Sequence, residues 1–156
     1  MERTIILTNS ENFFNIIDRS KPMDRKELRE VFNKRPRIGA LCTADGKGNV
    51  NVAVFGSPQM IDDNTIVMGI GNNRSYRNLQ ENPKAAFIIM EPGPTAPEWK
   101  GVRVYLEAIR IESAGELYNK IKEEITNRLG KQAGEMIKAA IRFTITEVRS
   151  LIEMMP

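Results

Sequence analysis

The sequence predicts a mainly antiparallel β domain, a small barrel of five or six strands flanked by helices. Three observations lead there. Strand-like segments follow one another through short turns, which favours antiparallel neighbours. Helical periodicity is confined to the start of the chain, one short central turn and one late segment. A closed sheet is then the simplest solution, because closure leaves no strand edge exposed.

Each element has its own signal. Phe13, Phe14, Ile16 and Ile17 suit a short helix over Ser10 to Arg19. Asp24 followed by Glu27 resembles a capping box, and Leu28, Val31 and Phe32 continue it as an apolar stripe. Together these make a helical N-terminal extension over about residues 10–34 of a single domain spanning 1–156. Arg37 to Thr43 predicts the first strand, and Asp45-Gly46-Lys47-Gly48 the turn after it. In the second strand Val50, Val52 and Val54 alternate onto one face. Gly56-Ser57-Pro58 interrupts, and Asp62-Asp63-Asn64 turns into a third strand, Ile66 to Ile70. Ala85 to Met90 is the fourth, and a proline-rich loop over Glu91 to Lys100 separates it from the fifth, Val102 to Ile111. The fifth strand's alternation slips between Leu106 and Ile109, as a bulge would make it. Leu117, Ile121, Ile125 and Leu129 share a helical face, a second helix is expected over Lys131 to Ala139, and Ile141 to Ile152 closes the sheet.

Composition narrows the chemistry. The chain is 41% apolar and 28% charged, the range of soluble globular domains. It lacks an apolar run long enough to span a bilayer and has no secretory signal pattern, so a cytoplasmic protein without membrane contact is expected. Net charge is +3 with both signs interspersed, and no basic block argues for nucleic acid. There is no histidine, which removes Ser-His and Cys-His catalysis, His-ligated haem and most zinc sites. Cys42 lies in the apolar run IGALCT and is expected to be a buried, inert thiol. The acid pairs Asp62-Asp63 and Glu123-Glu124 are surface charges, since neighbours in sequence point apart.

The informative stretch is GIGNNRSYRNLQENP, residues 69–83. Glycines and asparagines lead into Arg74-Ser75-Tyr76-Arg77 at a helix start. Such a start has unpaired backbone N–H groups and partial positive charge, and arginine adds a planar fork of donors that fits phosphate. Read locally, Ser75 is more simply an N-cap beside solvent-facing arginines. Tyr76 suits either a ligand cover or the core. Gly69 and Gly71 allow a planar ring close to the backbone, or mark a bend. Trp99, the single tryptophan, covers a ring or anchors its loop.

The order strand, turn, strand and then Asn73-Arg74-Ser75, Asn78-Leu79 and Asn82-Pro83 resembles the pyridoxamine 5'-phosphate oxidase-like superfamily, loosely over Arg35 to Ile152. The resemblance implies a six-stranded antiparallel split β-barrel of the FMN-binding type, forming a homodimer with flavin in the groove between subunits. It implies phosphate contacts from Arg74 and Ser75, with Arg77 assisting. It also implies ring and ribityl contacts from Asn51, Val52, Ala53, Val54, Met68 and Gly69, with Tyr76 and Trp99 near the ring. Ser75 stands where members often carry lysine, and Gly101 where they carry glutamine. True pyridoxamine phosphate oxidases use a C-terminal arginine and histidine for substrate. This chain ends EMMP, so that activity is not expected.

The leading expectation is an FMN-dependent oxidoreductase with a small-molecule electron donor or acceptor. No side chain need serve as acid or base, because the flavin carries the chemistry. The alternatives are a non-enzymatic FMN carrier or electron-transfer protein, and a reductase binding deazaflavin F420.

Overall fold

Alternation along the strands gives the sheet two faces, and the two faces set where everything else packs. The computed structural model describes residues 23–153. Its strands are β1 (Ile38–Ala44), β2 (Val50–Val54), β3 (Gln59–Met60), β4 (Thr65–Gly71), β5 (Lys84–Glu91), β6 (Lys100–Glu112) and β7 (Ile137–Ser150). They pair antiparallel in the order β2-β1-β5-β6-β7-β4-β3. The sheet thus has seven strands where six are expected. The extra one, β3, has two residues, too few to show alternation. Among the described residues no ladder joins the end strands β2 and β3.

One face encloses the main core, with Leu41, Met68, Phe87, Val104, Ile141 and Phe143 all almost fully buried. Helix α1 (Arg25–Asn33) fills it from one side with Leu28 and Phe32, both wholly buried. Asp24 does stand at its N-cap, but its side chain makes no capping bond, which corrects the expected capping box. Helix α2 (Arg74–Glu81) follows β4 in the chain and packs against β1 and β2. On the opposite face, Ile121 and Ile125 of α3 (Glu116–Leu129) pack on Val67 and Ala140. Strand β4 is therefore buried on both sides, which explains its nearly unbroken apolar run.

Other expectations need adjusting. Leu129 is exposed, so the α3 stripe ends at Ile125. The helix expected to reach Ala139 stops at Glu135 (α4, Lys131–Glu135), and β7 begins at Ile137. Ala139 and Ala140 pair with Ile70 and Gly69 and are wholly buried, so tertiary pairing overrides their helix propensity. The ladder of β6 with β7 does slip near Leu106 and Ala108, as the broken alternation predicts. Gly101, in the position compared with glutamine, has a φ of 149°, and a Cβ there would lie 1.9 Å from the Ile89 carbonyl oxygen. Backbone geometry thus demands glycine at that point. The helix expected over Ser10 to Arg19 and the Met154-Met155 tail lie outside the described residues.

The outer face of β2 and β1 holds the main surprise. Val50, Val52 and Val54 are 81%, 65% and 78% exposed, beside exposed Ile38. Cys42, opposite Val52, is exposed as well, which corrects its expected burial. Partial burial still pushes the thiol's pKa up, away from the reactive thiolate. No described helix is long and apolar enough to cross a membrane.

Candidate functional site

The site begins where β4 runs out at Gly71 and the chain turns into α2. Asn73, in extended conformation, caps this helix: its Oδ1 accepts the Tyr76 N–H at 2.9 Å. The cap is therefore Asn73 and not Ser75. The N–H groups of Arg74 and Ser75 lie ahead of the first intrahelical bond and have no carbonyl partner within the helix. Two open donors thus sit at the positive end of the helix dipole.

Ser75 and Asn51 were both singled out from sequence, and the fold brings them together. Ser75 is almost fully buried, and its Oγ accepts from Asn51 Nδ2 at 3.1 Å. One turn on, buried Asn78 donates through Nδ2 to Thr43 Oγ1 at 3.0 Å. Leu79 and Tyr76 enter the main core, so Tyr76 is a packing residue, only 8% exposed. These contacts fix the helix about its axis. Arg74 and Arg77 are left on the exposed side, in no ion pair among the described residues. Glu81, the acid of this helix, accepts from the Gly46 N–H instead.

Strand β2 supplies an edge. The Phe55 N–H bonds the Gly39 carbonyl and the Asp45 N–H bonds the Asn49 carbonyl. By alternation, Asn51 and Ala53 also direct their backbone groups at β1, while those of Val52 and Val54 face the unpaired edge. Of the four β2 residues, Val52 and Val54 thus offer free main-chain donors and acceptors, and Asn51 offers its side chain.

The remaining expected residues sit elsewhere. The Met68 side chain is in the main core. A Cβ on Gly69 would lie 2.8 Å from both Ile121 Cγ2 and Ile125 Cδ1, so this glycine makes room for α3 and not for a ring. Its carbonyl accepts from Ser57 Oγ at 2.8 Å. Trp99 is exposed after a short 3-10 turn, Ala96–Glu98, held by mutual Thr95 and Glu98 hydrogen bonds. It does not join the β2–α2 cluster. Sequence reasoning passed over Thr43 and Ser57. Their signal was faint but present: Thr43 is a polar residue at an inward position of an apolar strand.

A family model described as pyridoxamine 5'-phosphate oxidase matches residues 25–152. No curated protein matches the chain. Among solved structures, an FMN-binding protein from Syntrophomonas wolfei subsp. wolfei is 26% identical, with a TM-score of 0.74 over 94% of this chain and 96% of that one. The haem storage protein HutZ from Vibrio cholerae is 19% identical, TM-score 0.60, over 80% and 92% of the two chains. An F420 reductase is 18% identical, TM-score 0.58, over 76% and 94%. At such identities the last two share the fold and carry no ligand assignment. With nearly the whole described chain inside the family match, and the Asn73 to Pro83 turn folded as a capped helix beside the β2 edge, the protein belongs to the pyridoxamine 5'-phosphate oxidase family.

Proposed function

We propose that the chain is an FMN-binding flavoprotein that acts as an oxidoreductase, as a homodimer. The observation that carries this reading is the Asn51–Ser75 hydrogen bond, which joins the free edge of β2 to the open first turn of α2. The residues present fit a flavin phosphate. Two unpaired N–H groups, a helix N-terminus and the exposed Arg74 meet at one point, and Arg77 stands one turn away. The missing lysine leaves one cation fewer, but Ser75 itself is occupied by Asn51 and acts as a positioning residue. Val52 and Val54 backbone groups would bond the polar edge of the ring.

When bound, the flavin supplies hydride or single-electron transfer, and the protein binds and orients it and excludes water. No acid–base side chain is required of this chain, which fits a sequence without histidine. The likeness to the Syntrophomonas FMN-binding protein supports FMN over F420 or haem. The exposed valines of β2, with Ile38 and Cys42 alongside, form an apolar sheet face of the kind that a second copy covers. A flavin held at the edge of this face would lie between the two copies.

The test is an absorption spectrum of the purified protein with mass identification of what heat releases. Released FMN supports the reading. A colourless protein that also fails to take up added FMN refutes it, and F420 in the released fraction replaces one cofactor with the other.

A further inference from the structure

Away from the α2 turn, three arginines gather, and none of them is ion-paired with a carboxylate among the described residues. Arg35 and Arg37 both come from the segment joining α1 to β1. Arg35 Nη2 donates to the Pro58 carbonyl at 2.9 Å and to the Gly56 carbonyl at 3.3 Å. Arg37 Nη2 donates to the same Pro58 carbonyl, and its Nη1 to the Phe32 carbonyl. Two guanidinium groups thus share one neutral acceptor. Arg128 approaches from α3. Gln59, next to Pro58, bonds Glu124 at 3.3 Å, and Arg128 lies one helical turn further along the same face.

None of the three arginines forms an ion pair among the described residues. Arg37 is held over the rings of Phe32 and Phe87, 4.7 and 5.3 Å from their centroids, and its Nε is buried without a hydrogen-bond partner. Backbone carbonyls orient a guanidinium but leave its positive charge in place. Burial, then Arg35 and Arg128, hold the Arg37 pKa down to about 10, so it stays cationic at neutral pH. Arg35 is also lowered, by burial and by Arg128.

The bland reading is that Arg35 and Arg37 merely tie α1 to the loop after β2. That reading accounts for the hydrogen bonds to Phe32, Gly56 and Pro58. It does not account for the gathering of three like charges, which repel unless something anionic sits among them. Arg35 and Arg128 are exposed, so the cluster is open to solvent.

We propose that Arg35, Arg37 and Arg128 form a binding site for a small oxyanion, a phosphate or carboxylate group, separate from the α2 turn. The Nη groups of Arg35 already donate to the Phe32, Lys34, Gly56 and Pro58 carbonyls and those of Arg37 to Phe32 and Pro58, so these two supply oriented positive charge, and Arg128 supplies the planar fork that matches such oxygens. The site does not depend on a bound flavin. It lies at Gly56–Pro58, just beyond the end of β2, whereas Asn51 and Ser75 lie at the other end of that strand.

Isothermal titration with inorganic phosphate at constant ionic strength tests this, with succinate as a carboxylate probe. Wild type is compared with Arg128→Ala and Arg35→Ala, which leave the Arg37 ring contacts intact, and with Arg74→Ala at the other turn. The expected result is saturable binding of at least one probe that weakens about tenfold or more in Arg128→Ala and Arg35→Ala and persists in Arg74→Ala. Phosphate binding and succinate binding distinguish the two oxyanion classes. The proposal is overturned if neither probe binds, or if binding is lost only in Arg74→Ala. Because the titration uses flavin-free protein, failure here leaves the FMN reading standing, and the reverse is equally true.

Discussion

Substituting Gly69 by alanine separates two reasons for a glycine at that position. A methyl group there would lie 2.8 Å from Ile121 Cγ2 and from Ile125 Cδ1, with Ile137 Cδ1 at 3.4 Å. Both close atoms end flexible side chains, so the helix can yield, but it is pinned on Val67 and Ala140. Overpacking of this kind costs about 1–3 kcal/mol. Replacing a strand glycine by alanine returns about 0.5–1 kcal/mol of chain entropy. The net destabilisation is roughly 0–2.5 kcal/mol, and at about 2–4 °C per kcal/mol it lowers the melting temperature by up to about 10 °C. Ile125→Val deletes one of the two clashing atoms and by itself costs about 0.5–1.5 kcal/mol. In the double variant the two effects should therefore fall short of additivity. Thermal melts of the flavin-free protein measure all four corners of the cycle. A raised melting temperature in Gly69→Ala would refute the packing reason, and full additivity would show that α3 does not press on this point.

Further predictions address other contacts. Asn78→Ala strands the buried Thr43 hydroxyl and should destabilise the protein by about 1–3 kcal/mol in denaturant melts, whereas Asn78→Leu with Thr43→Val should recover most of the loss. Val52→Asp puts a charge on the exposed β2 face and should halve the solution mass by light scattering if a second copy covers that face. Asp45 has its pKa lowered below 3.8, first by the Asn49 side chain and then by backbone N–H groups of the turn. Between its folded and ordinary values the unfolded chain binds more protons, so this contribution is present above pH 3.8 and is lost as pH falls through the lower folded value. Asp45→Asn should flatten the acid limb of stability against pH without abolishing it, because Asp62 and Glu153 are lowered too.

Strands were legible because period-two alternation survives in Val50 to Val54 and in Val102 to Leu106. What alternation cannot say is which face is inward. Val50, Val52 and Val54 share one apolar face and are exposed, since an apolar face suits a partner chain as well as an interior. Cys42 was misread for the same reason. Strand β3 was missed because two residues carry no period. The helix beyond Glu135 was overextended because GEMIKAA is locally helical, and the pairing of Ala139 and Ala140 with β4 is visible only in three dimensions. At the site, Arg74 and the helix start were readable from residue type. The division of labour was not: Asn73 caps, Ser75 is held by Asn51, and Gly69 serves α3. The arginine cluster joins residues 35, 37 and 128, and that separation hid it from a reading of local motifs.

The proposed role of the α2 turn is to hold the phosphate of a flavin. Titrations of flavin-free protein with FMN and with riboflavin, which lacks the phosphate, test it most directly when repeated on Arg74→Ala. Wild type is expected to prefer FMN, and Arg74→Ala to lose about 1.5–3 kcal/mol of FMN affinity while riboflavin binding is unchanged. Equal affinity of wild type for the two flavins, or an FMN affinity indifferent to Arg74, would contradict it.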